Sequence, residues 1–222
     1  LAADGEGAVA GTAPEGLVYR IAARGDTTLL ARTGERYVWG LSPAGTGAWY
    51  AATGTKGRLL RVDGRDVRIV ADTDERNLVA ILADGQGGAF AGGDTKGRVL
   101  HARRDGTVRT VFDAAEDEVR ALALGGDGAL YAAALSSPSS PEGEKEGEPK
   151  PATTAPVGGR AVLYRIVPDS SAASWWVSPQ PLVFALAAAP DQGPSAGGIL
   201  AATGNRAALY RVERAAGATR LL

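Results

Sequence analysis

The chain has 222 residues, a single His, no Cys and no Met, and its 24 Lys and Arg nearly balance 25 Asp and Glu. The missing Cys rules out a disulfide framework and Cys-based zinc or iron–sulfur sites, and one His (His101) rules out multi-His metal sites and leaves any Ser-His-Asp triad dependent on that residue. Near-neutral charge lacks the basic footprint of general nucleic-acid binding, and no run approaches the ~18 apolar residues of a membrane helix.

Four kinds of short apolar run recur along the chain. The first opens each unit: Val38-Trp39-Gly40-Leu41, Val79-Ala80-Ile81-Leu82, Val119-Arg120-Ala121-Leu122 and Val183-Phe184-Ala185-Leu186, with Leu1 aligned to Leu41. The second carries a central aromatic or aliphatic residue: Val9, Tyr50, Phe90, Tyr131 and Leu200. Nine residues on comes an apolar-apolar-basic-apolar run, as in Leu59-Leu60-Arg61-Val62 and Leu209-Tyr210-Arg211-Val212. A fourth run closes the unit, as in Val67-Arg68-Ile69-Val70 and Ser174-Trp175-Trp176-Val177.

Asp63-Gly64, Asp84-Gly85, Asp105-Gly106 and Asp127-Gly128 separate these runs. Asp-Gly between short apolar segments signals a hairpin, because Gly accepts the positive φ such turns demand. No segment shows a helical stripe, and the alanines sit in runs punctuated by Gly. Four strands per unit at a period near forty residues predict β-propeller blades.

At these residues the chain resembles the broad class of β-propeller repeat proteins, including NHL-type, WD-type and bacterial sensor-type propellers. The Trp-Asp ending of WD repeats is missing from every unit. The resemblance implies an all-β fold of five four-stranded antiparallel blades, over 1–37, 38–78, 79–118, 119–182 and 183–222. A chain that opens on Leu1 with no Met reads as a piece of a longer polypeptide. The five blades then form either a small closed ring or an arc of a larger one. Arg over Lys at 20 to 4 suggests a GC-rich bacterial source, and zero Cys favours an extracytoplasmic location, periplasmic or secreted.

Residues 136–158, rich in Ser, Pro, Gly, Glu and Lys, interrupt blade four between its second and third strands. They cannot bury enough apolar surface to offset ordering entropy, so disorder is expected there. The same top face carries acidic loops (Asp72, Asp74, Glu75; Asp113, Glu116, Asp117, Glu118) opposite Lys56-Gly57-Arg58 and Lys96-Gly97-Arg98. Such a rim holds a polar ligand or a calcium ion, or neutralises itself in local ion pairs. His101 aligns with Arg20, Arg61, Arg165 and Arg211, which marks it as structural. Trp49 falls in the inter-blade column, and Trp175-Trp176 on an outer strand read as packing against a blade.

The ligand-binding candidates are Arg36, Trp39, Asn77, Asp117, Glu118 and Arg120, all at the start of inner strands. No catalytic set converges in the pattern. The expected function is a non-catalytic binding or sensing scaffold that meets a protein or a small polar ligand on the top face. A metal-dependent hydrolase or lactonase similar to gluconolactonase-type propellers is the alternative, with ligands such as Asn77 and Glu118. A structural subunit of a larger assembly is the third.

Overall fold

The computed structural model describes residues 1–136, 159–190, 198–204, 207–213 and 217–222. Most of the segment expected to be disordered, 137–158, lies outside the described residues. Among the described residues twenty strands form five four-stranded antiparallel sheets, each in simple up-and-down order. Blade one is β1 (Ala2–Asp4), β2 (Gly7–Gly11), β3 (Leu17–Ile21) and β4 (Thr27–Arg32). Blade two is β5 (Tyr37–Pro43), β6 (Ala48–Gly54), β7 (Arg58–Asp63) and β8 (Asp66–Asp72). Blade three is β9 (Leu78–Ala83), β10 (Ala89–Gly93), β11 (Arg98–Ala102) and β12 (Val108–Asp113). Blade four is β13 (Glu118–Leu124), β14 (Leu130–Leu135), β15 (Ala161–Val167) and β16 (Ser171–Val177). Blade five is β17 (Val183–Ala188), β18 (Ile199–Thr203), β19 (Leu209–Glu213) and β20 (Gly217–Arg220).

The second strands are apolar at nearly every position because both of their faces are covered. In β6, Trp49 and Ala51 pack with Val9 and Val18 of blade one. The alternate residues Tyr50 and Ala52 pack with Leu78, Ala89 and Leu100 of blade three. Phe90 and Val99 meet Val119 and Leu130 at the next interface, and Tyr131 and Leu163 meet Val183 and Ile199 at the last. Trp49 is 3 % exposed, as its column requires. Trp175 and Trp176 are half-buried, edge-on to Tyr131 and against Tyr210 respectively.

Register corrects one column. Tyr50 pairs with Ser42 and Phe90 with Leu82, so Leu78, not Val79, is the counterpart of Val38 and Val119. The run 78–82 is apolar throughout, so alternation gives it no phase. A β-bulge follows in four inner strands, at Trp39, Val79, Arg120 and Phe184. Bulges re-aim side chains, and three of these residues, Trp39, Val79 and Arg120, line the axial depression.

The loops entering blades two, three and four stitch neighbouring blades together. The Thr73 hydroxyl donates to the Gly57 carbonyl of blade two at 2.6 Å. Two residues on, buried Glu75 accepts the Thr95 and Lys96 amides of blade three at 2.7 and 2.8 Å. Thr33 to Gly16 and Arg58 to Glu35 repeat the pattern one blade earlier. One blade later Glu116 accepts the Tyr164 hydroxyl at 2.8 Å, and burial together with Glu116 pushes that phenol up to about 12.

Candidate axial site

The inner strands surround a depression of about 280 Å³ lined by Trp39, Val79, Arg120, Leu186 and Leu1 among others. On the side where the loops enter the blades, polar and aromatic groups meet the bulged residues. The Trp39 indole N–H donates to Asn77 Oδ1 at 3.2 Å, and its ring stacks on Tyr37 with centroids 5.2 Å apart. The Arg36 guanidinium lies over the same Tyr37 ring, 5.6 Å from its centroid. Asn77 is itself held by Asp94, which accepts its backbone amide at 2.8 Å and its side-chain amide at 2.5 Å. A Cβ on Gly54 would collide with Asn77 Oδ1 and the Trp39 indole nitrogen, so only Gly lets them meet. Despite these restraints Trp39 is 49 % exposed.

Blades four and five supply the other side. Arg120 sits 5.9 Å from the Phe184 ring centroid, and Phe184 is 50 % exposed. Phe184 rests where a Cβ on Gly204 would stand. Glu118 Oε1 lies 3.1 Å from Arg120 Nε, at an angle too poor for a hydrogen bond. Both atoms are buried with no hydrogen-bond partner. Burial pushes the Glu118 carboxyl above its usual range, Arg120 pulls it back, and Asp94 adds to the rise.

Five of the six sequence candidates therefore take part in two constellations. Arg36, Trp39 and Asn77 belong to the first, Glu118 and Arg120 to the second, and the Asp94–Glu118 repulsion links them. Asp117 is exposed in the loop entering blade four. Tyr37, Asp94 and Phe184 were missed. Phe184 was legible, since it shares Trp39's place in the inner-strand column, whereas Asp94 lies 17 residues from the Asn77 it holds.

The outer rim is self-neutralised. Arg58 bridges Glu35 and Asp72 at 3.0 and 2.8 Å, and Asp74 pairs with Lys96 and Arg98. The hydrogen bond from Arg58 holds Asp72 below the usual carboxylate range, and Lys96 does the same for Asp74. A larger groove of about 540 Å³ between blades two and three is lined by these paired charges and so has fewer free polar groups to offer. At the opposite end, His101 is locked 2.9 Å from Asp84 and stacked on Phe90. Arg20 with Asp4 and Arg165 with Asp127 fill the same role in blades one and four.

No protein-family model matches the chain, and no curated protein matches it by sequence. Solved structures do. Virginiamycin B lyase from Staphylococcus aureus, in complex with quinupristin, aligns at TM-score 0.71 and 12 % identity, over 100 % of this chain and 68 % of that one. A nidogen/laminin complex aligns at TM-score 0.64 and 13 % identity, over 94 % and 71 %. An extracellular domain assigned to a one-component system from B. thetaiotaomicron aligns at TM-score 0.61 and 16 % identity, over 91 % and 26 %.

The fold is a β-propeller. At these identities the likeness carries the fold alone, and propellers host many activities. This propeller chain spans about two thirds to seven tenths of the lyase and nidogen-complex chains. Among its described residues no helix is long and apolar enough to cross a membrane.

Proposed function

We propose that this propeller is a binding module whose contact surface is the axial mouth, with Trp39 as its platform. The observation that carries the reading is a half-exposed indole held from three sides, by Asn77, Tyr37 and the Gly54 backbone. A ring fixed before a ligand arrives loses little side-chain entropy on binding, and exposed apolar surface beside polar groups marks contact sites. The reading includes an extracytoplasmic location, supported by the Cys-free sequence and the likeness to an extracellular domain.

The metal-dependent hydrolase or lactonase is the weaker reading. Asn77, Asp94 and Glu118 offer oxygens, but they do not fit a cation. Asn77 Oδ1 is taken by Trp39, Asp94 is taken by Asn77, and Glu118 faces the Arg120 guanidinium. Among the described residues no three His, Cys, Asp or Glu side chains converge as a metal cluster.

Ligand-observed NMR with a fragment library tests the proposal. Fragments that bind the wild type should lose about tenfold in affinity with Trp39→Ala, equal to about 1.4 kcal/mol. They should keep it with Ile69→Ala, an exposed residue on an outer strand. Hits indifferent to Trp39 would sink the reading.

A further inference from the structure

The four interfaces between successive blades reuse one set of positions. On the side facing the next blade these are Tyr50, Ala52 and Leu59 in blade two and Tyr131, Ala133 and Leu163 in blade four, none more than 2 % exposed. Blade five holds Leu200, Ala202 and Leu209 there, and each is only partly covered. On its inner strand Ala185 and Ala187 are exposed, whereas their counterparts Ala121 and Ala123 are buried. Blade one shows the same on its other side. Ala8, Ala10 and Tyr19 are partly covered where Trp49, Ala51 and Leu60 are buried in blade two. Leu1, on the axial depression, is 82 % exposed.

Two sheet faces thus carry the sequence of an interface and are only partly covered. We propose that further four-stranded blades of the same polypeptide, about two or three of them, cover both faces and complete the axial mouth with their own inner strands. Three observations fix this occupant. The partly covered residues continue the columns that bind one blade to the next, so a blade of this repeat fits them. The lyase chain aligned with the whole of this one leaves about a third of its own length unmatched, which is room for two to three units of this period. A second copy fits less well: two arcs joined blade five to blade one would make a ring of about ten blades, beyond the usual four to eight. The inference is independent of what the mouth binds.

The chain has no Cys, so one introduced thiol reports one position. The experiment measures maleimide labelling in the full product of the gene that encodes this chain. Leu200→Cys and Ala10→Cys probe the two faces, Ala201→Cys inside the blade four–five interface is the protected control, and Ile69→Cys is the exposed one. Both probes should label as slowly as Ala201→Cys, at least about tenfold slower than Ile69→Cys, since opening must precede reaction. Labelling as fast as Ile69→Cys overturns the proposal. So does protection that is lost on dilution, which assigns the faces to a second copy. If Leu200→Cys fails to fold, Ala202→Cys reads the same face.

Discussion

Replacing Glu75 with Ala removes a buried carboxylate that accepts three backbone amides, those of Thr95, Lys96 and Arg98, at 2.7, 2.8 and 3.3 Å. Hydrogen bonds to a charged acceptor contribute about 1.5–3 kcal/mol each. Thr95 and Lys96 are exposed residues, so water replaces part of the loss and the expected cost is about 2–3 kcal/mol. At about 2–4 °C per kcal/mol for a chain of this size, Tm falls by about 5–10 °C. Gly93 supplies the coupling test, because a Cβ there would collide with the Glu75 Cγ and Cδ atoms. With its oxygens pinned, Glu75 cannot step aside, and Gly93→Ala should cost about 1–3 kcal/mol by overpacking. Once Glu75 is Ala the collision is gone, and the same substitution should be close to neutral. Urea unfolding of the four proteins measures the cycle, with an expected coupling of about 1–3 kcal/mol. Additivity to within about 0.5 kcal/mol would refute the interlock.

Two further predictions concern charge. Burial raises Asp84, but hydrogen bonds from His101 and the Gln86 and Gly88 amides outweigh it and leave the carboxyl below its usual range. Its contribution is full above the unfolded value of about 3.9 and is lost as pH falls through the lower folded value. The stability gap between wild type and Asp84→Asn should therefore shrink below about pH 4 in thermal unfolding, and a constant gap would contradict the clamp. Glu118 has the opposite sign: its raised folded value lowers stability as pH rises through it. Arg120→Ala removes the group that pulls it back, so the Glu118 midpoint should move higher by side-chain NMR, and an unmoved midpoint would contradict the ion pair.

The blade plan was legible because four columns repeat and because Asp-Gly turns separate them. The inner strand of blade three slipped by one position, since Leu78 to Leu82 is apolar at every residue and hides its bulge. Trp39, Asn77, Glu118 and Arg120 stood out as polar or aromatic residues at inner-strand starts. Their pairing was not legible, because the Trp39–Asn77 bond joins residues 38 apart and depends on the absent side chain of Gly54. The Thr-x-Glu pattern at 33–35 and 73–75 recurs in the sequence as well. Its role needed the fold, which shows Glu35 buried against the Arg58 side chain and Glu75 against the turn of blade three.

The most direct test of the axial mouth is 19F NMR of the protein labelled with 5-fluorotryptophan. Trp39 is half-exposed, Trp49 is buried, and Trp175 and Trp176 are half-buried against blade packing. Trp39→Phe assigns one of the four signals. That signal should show the largest H2O-to-D2O shift and should be the one that moves when fragments bind. A Trp39 signal that is solvent-insensitive, or that stays still while another Trp responds, would contradict the account.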